Sequence, residues 1–144
     1  MDVNELKNKA YAFHLKNYNC AQSVLCAFSD ILKLDEKTLF KISEGFGGGM
    51  GDKKECCGAI TCGMMVLSHL NSSGSCNNIT KNETYNLSSQ LRNGFIDKYD
   101  ISLCETLKNV EVADDYNICN DYIIYCVELV CNIIEKEGLI NKAE

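Results

Sequence analysis

Proline is absent from this sequence of 144 residues. That removes the commonest helix breaker and favours long helices. No apolar run approaches the ~20 residues needed to cross a bilayer, so no membrane association is expected. The start, Met1 to Lys7, lacks the charged, then apolar, then small-residue order of a signal peptide, which leads to an expected cytoplasmic location. Cationic residues are outnumbered, 14 Lys and Arg against 20 Asp and Glu, for a net charge of −6. A nucleic-acid partner needs clustered positive charge and is excluded on that ground. The single exposed-looking lysine pair, Lys53 and Lys54, is diluted by Asp52 and Glu55.

Other patterns are missing too. No stretch of four or more residues alternates cleanly between apolar and polar, so no strand is expected. No pair of cysteines has the Cys-x-x-Cys spacing of thioredoxin-like or zinc-ribbon sites, and without Cys-x-x-Cys-His there is no attachment point for c-type haem. The two histidines, His14 and His69, have no ligand-like spacing to a second histidine or carboxylate. They read as ordinary core or surface residues.

What the sequence has in abundance is cysteine, ten in all. In a short secreted chain an even count reads as a disulfide framework. In the cytoplasmic setting expected here it points to metal, cluster or thiol chemistry. Asn-x-Ser/Thr triplets such as Asn82-Glu83-Thr84 carry no meaning in that setting.

Apolar residues recur at helical spacing nearly throughout, and the reading is a single all-α domain over residues 1–144, a bundle of about six or seven helices. A first helix covers about 4–17, with Ala10, Phe13 and His14 facing inward. A second starts after Asn19, a good N-cap, and carries Ala21, Val24, Leu25, Phe28, Ile31 and Leu32. Asp35 caps a third, which runs into the loop Gly45-Phe46-Gly47-Gly48-Gly49-Met50-Gly51. A fourth begins near Cys57 and reaches about Leu70. Being apolar all round, it is expected to be the buried central helix. A polar surface loop follows over 71–81, then a helix over about 82–99. Ser102-Leu103-Cys104-Glu105 has the form of a capping box. A last helix over about 115–137 is stopped by Gly138.

The cysteines divide by position. Cys26, Cys126 and Cys131 lie on or beside apolar helix stripes and read as small buried hydrophobes. Cys76 lies in the polar loop and is expected to be exposed. Cys20, Cys57, Cys104 and Cys119 all fall at or near helix starts, where unpaired N–H groups and the positive end of the helix dipole lower a thiol's pKa. Thiolate is both the nucleophile and the metal ligand. The glycine loop has no preceding strand and fits neither Gly-x-x-x-x-Gly-Lys-Ser/Thr nor Gly-x-Gly-x-x-Gly, which argues against nucleotide binding. Its backbone N–H groups, at Gly47, Gly48 and Gly49 above all, are instead suited to hydrogen-bond thiolates, sulfide or a small anion. The alternative is a plain tight turn between two packed helices.

Asn19-Cys20-Ala21-Gln22-Ser23-Val24, the loop Gly45–Gly51, Cys57-Gly58-Ala59, Cys104 and Cys119 together resemble the C_GCAxxG_C_C family of redox-active proteins. The similarity spans about residues 10–135. The resemblance implies a redox role, an origin in an anaerobe, and family cysteines at Cys20, Cys57, Cys104 and Cys119. Related sequence forms part of split-Soret cytochrome c, a dimeric protein with haem and an iron–sulfur cluster, and a homodimer is expected here on that likeness. The chain departs from the pattern in two places. Cys62 stands where the central motif ends in glycine, and Cys56 adds a thiol directly before the family cysteine.

Three functions follow as expectations. The first is an electron-transfer or redox-sensing module that binds an iron–sulfur cluster, most simply 2Fe–2S, through Cys20, Cys57, Cys104 and Cys119, with Gly47, Gly48 and Gly49 tuning it and a redox protein as partner. The second is a thiol–disulfide oxidoreductase in which Cys57 attacks and Cys56, Cys62 or Cys20 resolves. The third is a structural zinc–thiolate site on the same cysteines.

Overall fold

Three short polar side chains set where the first half of the chain becomes helical. Asp2 accepts a hydrogen bond from the Glu5 N–H at 3.1 Å and opens helix α1, Val3–Leu15. Asn19 and Gln22 form a reciprocal capping box, both bonds 2.9 Å, and open α2, Cys20–Ala27. Asp35 accepts from the Thr38 N–H and hydroxyl at 2.9 Å each and opens α4, Glu36–Ser43. Each cap satisfies N–H groups that have no partner inside the helix, and such a cap is worth about 1 kcal/mol.

The structure is a computed structural model that describes residues 1–108 and 115–140. Between α2 and α4 lies one turn, α3, Ser29–Leu32; beyond α4 come a 3₁₀ turn at Glu44–Phe46, then α5, Gly58–Asn71, and α6, Lys81–Tyr99. The short α7, Cys104–Lys108, and the long α8, Asp115–Glu137, complete the fold. Among the described residues there is no strand, and the one extended contact is an isolated antiparallel bridge between Cys56 and Leu103. The all-α reading stands.

Helix α5 lies at the centre, with α2, α6 and α8 packed on it. Ala59, Ile60, Cys62, Val66 and Leu67 on α5 are fully buried, as are Val24, Phe28, Leu91, Phe95, Ile123, Val127 and Val130 around them. Each large apolar side chain removed from water contributes roughly 1.5–3 kcal/mol. Gly63 lets the helices close up: a Cβ there would stand 2.8 Å from Leu91 Cδ2 and 3.0 Å from Val130 Cγ2.

The structure corrects the expected elements in three places. The second expected helix is two, because the Phe28 N–H turns back to the Leu25 carbonyl and tightens the turn. The apolar stripe runs on unbroken through that kink, so periodicity does not reveal it. Helix α5 is not buried on all sides. Met64 and Met65 are half-buried and line an open apolar groove of about 440 Å³ with Leu34 and Ile42. Three packed neighbours cover three sides of α5 and leave this one ajar. Finally, α7 starts at Cys104 rather than just after Ser102, because the Ser102 carbonyl accepts from the Cys57 N–H.

Candidate functional site

A small backbone clip fixes two of the cysteines. The Cys57 N–H donates to the Ser102 carbonyl at 2.8 Å, and the Cys104 N–H donates to the Glu55 carbonyl at 2.9 Å. These two bonds fasten the chain just before α5 to the chain just before α7. Residues 47 apart in sequence are thereby set side by side without a sheet. The Glu55 N–H in turn donates to the Gly49 carbonyl at 3.3 Å and closes the glycine loop over the clip.

The loop is conformationally expensive. Gly48, Gly49, Met50 and Gly51 all have positive φ, at 61°, 59°, 65° and 99°. Glycine adopts such angles without penalty, but Met50 does so at a cost of about 1–2 kcal/mol. The consequence is a wide turn whose backbone passes next to sulfur. The Gly48 N–H donates to the Cys20 sulfur. Gly47 and Gly49 each make room. A Cβ on Gly47 would stand 2.3 Å from Asn19 Cγ, and one on Gly49 would stand 2.4 Å from Cys104 Cβ.

Cys20 occupies the first position of α2. Tyr18, stacked on Phe13 with centroids 4.6 Å apart and edge-on to Phe40 at 4.8 Å, holds the segment leading into it. Cys57 is the N-cap of α5 and is 5 % exposed. The two sulfurs are hydrogen-bonded to one another, with Cys57 as donor. That bond lowers the Cys20 pKa to about 6; burial opposes it, and the N–H groups of Gly48 and Ala21 and the charge of Lys108 assist. Cys57 moves the opposite way, well above the ordinary thiol range, because it gives its proton to this bond and is desolvated. The two thiols are thus pushed in opposite directions, Cys20 towards the thiolate and Cys57 towards the thiol.

The remaining cysteines differ in burial and in neighbours. Burial raises the Cys104 thiol, with Lys108 pulling it back, and Cys104 packs on Gly49. Cys119, one turn into α8, is buried and lines the same cavity as Cys20. Cys56 is half-buried, interacts with Thr61, and has its pKa raised by burial. Cys62 faces the core with its sulfur 4.0 Å from that of Met65, and burial pushes its pKa far up. Cys26, Cys126 and Cys131 are fully buried among apolar side chains, as expected of small hydrophobes, and Cys76 is exposed. His69 is exposed, whereas His14 is buried against Asn120, to which it is hydrogen-bonded.

Three contributors escaped the sequence reading of the site. Gly58 gives room to the pair, since a Cβ there would meet Cys20 Sγ at 2.8 Å and the Phe46 carbonyl oxygen at 2.6 Å. Its place directly after Cys57 was the available signal. Lys108 has no local signal at all. Tyr122 donates to the Leu107 carbonyl at 2.8 Å and so ties α7 to α8, which a lone tyrosine on a helix does not announce.

The chain matches, over residues 18–136, the sequence model of a family described as "Putative redox-active protein (C_GCAxxG_C_C)". No curated protein and no solved structure matches it.

Proposed function

The chain belongs to the C_GCAxxG_C_C family, and from that premise we propose that it is a thiol–disulfide redox module whose working pair is Cys20 and Cys57. What supports this reading is the coupling of the two thiols, which lowers the Cys20 pKa to about 6 and raises that of Cys57, beside the cavity that Cys20 lines. Cys20 is the nucleophile and Cys57 the resolving thiol, the reverse of the roles expected from sequence. Thiolate at Cys20 attacks a disulfide sulfur, an S–S bond forms to Cys20, and the leaving thiolate departs with the electron pair. Cys57 then attacks the Cys20 sulfur and expels the second thiolate, which takes up the proton Cys57 loses. The substrate disulfide has gained two electrons, and the protein holds a Cys20–Cys57 disulfide.

A four-thiolate iron–sulfur cluster is the second reading. It is favoured by the positions of Cys104 on the glycine loop and Cys119 on the Cys20 cavity. Among the described residues no three of His, Cys, Asp and Glu are grouped so as to hold a metal ion, so this reading stands second. The same test applies to zinc. No step is routed through either.

The two readings separate on variants. Cys20→Ser and Cys57→Ser should each abolish two-electron reduction of a small disulfide. Cys104→Ser and Cys119→Ser should retain at least half of it. Protein purified without oxygen should carry no stoichiometric iron or acid-labile sulfide. Equimolar iron and sulfide, lost together in any of the four variants, would instead establish the cluster.

A further inference from the structure

Cys20 opens onto a cavity of about 320 Å³, near the small end of the range for small-molecule sites. His14, Asn19, Gly48, Lys108 and Cys119 share its wall with Cys20. Lys108 is the only lysine or arginine in this lining among the described residues. Burial holds the His14 pKa below its usual value, and its ring is engaged with Asn120. Lys108 sits at the end of α7, next to the Leu107 carbonyl that Tyr122 holds. Its charge acts on Cys20, Cys104 and His14, and it lines the cavity beside Cys20. Cys57, by contrast, does not line the cavity. A molecule that enters meets Cys20 first and a cation beside it.

We propose that this cavity admits a small disulfide bearing a carboxylate, with Lys108 as the residue that selects it. The inference rests on the thiol–disulfide reading and adds its substrate class. The carboxylate pairs with Lys108 while one sulfur of the substrate faces Cys20. Attack forms the Cys20–substrate disulfide and releases the other half as a thiolate, which leaves through the open side and is protonated by water. Resolution by Cys57 follows from behind, without competing for the cavity. A protein disulfide is disfavoured as the substrate because a cavity of this volume takes only a few heavy atoms on each side of the bond.

Three small disulfides test this: 3,3′-dithiodipropionate, which is anionic, hydroxyethyl disulfide, which is neutral, and cystamine, which is cationic. The wild-type chain should reduce the anionic disulfide about 5-fold or more faster than the neutral one, the scale of one partly screened charge pair. Cystamine should be the slowest, and the spread should shrink as salt is raised. Lys108→Gln should remove the preference, and because Lys108 also helps hold the Cys20 pKa down, any loss of rate on the neutral disulfide should be shared by all three. Lys108→Arg should restore the preference. That rescue and the salt dependence are readouts that a merely structural lysine would not move. Equal rates for all three disulfides in the wild-type chain, or a preference that survives Lys108→Gln, overturn the inference and leave the thiol–disulfide reading in place. No reduction of even the neutral disulfide overturns that reading itself.

Discussion

Replacing Cys57 with alanine should move the midpoint of Cys20 alkylation by iodoacetamide from about 6 towards the ordinary thiol value of 9.0. The hydrogen bond from Cys57 is the largest influence holding the Cys20 pKa down, and burial, the next largest, works against ionisation. With the donor gone, desolvation is opposed only by the Gly48 and Ala21 N–H groups and by Lys108. The sign follows: a thiol whose pKa is lowered is reactive above that pKa and is silenced as pH falls through it. The effect on rate at pH 7 is smaller than the effect on the midpoint. About nine-tenths of a thiol with a pKa of about 6 is ionised there, against about 1 % for one at 9.0. The more basic thiolate is, however, about 20-fold more nucleophilic at a Brønsted slope of 0.4–0.5. The two nearly offset, and only about a 5-fold loss in rate remains. The pH profile is therefore the measurement to make. Cys57→Ser retains a donor and should fall between the wild type and Cys57→Ala. An unmoved midpoint in Cys57→Ala would remove the polarised pair.

Val66→Asp should unfold the protein or bring it to the edge of unfolding. Val66 is fully buried on α5, the helix on which α2, α6 and α8 pack. An aspartate there leaves a carboxylate or a protonated acid with no partner, at a cost of several kcal/mol. Against a total stability of about 5–15 kcal/mol, that is most of what a domain has. Met65→Asp, one position along, should cost no more than about 1–2 kcal/mol, since Met65 is half-buried on an open groove and a charge there reaches water. Thermal or urea unfolding of the two variants checks the contrast. Equal losses would mean that the groove is closed over by something and that α5 is buried on both faces.

The difference between those neighbours shows what sequence carries and what it does not. Caps are written locally, and Asn19, Asp35 and Gly138 each mark the boundary they were expected to mark. Apolar periodicity places α1, α5, α6 and α8 to within a few residues. It says nothing about how many neighbours a helix has, which is why an all-apolar α5 read as buried on every side. The site was legible as a set of cysteines at helix starts and as a glycine loop beside them. The pairing within that set was not. Cys20 and Cys57 have near-identical local contexts, and which of them donates depends on the Gly48 N–H and on Lys108, both brought in by the tertiary fold. The clip that joins residues 55–57 to 102–104 is too short to alternate, so no strand pattern precedes it. Gly63 and Gly58 look alike in sequence, yet one admits Leu91 and Val130 and the other admits a sulfur.

The central claim is that Cys20 and Cys57 form one redox couple. Reduced protein can be treated with one equivalent of hydroxyethyl disulfide, quenched in acid, alkylated under denaturing conditions and digested for peptide mapping. The account predicts that the protein loses two thiols and that the dominant new linkage joins the peptide containing Cys20 to the peptide containing Cys57. A linkage running instead through Cys62, Cys104 or Cys119, or a mixed disulfide stranded on Cys20 and never resolved by Cys57, would contradict it.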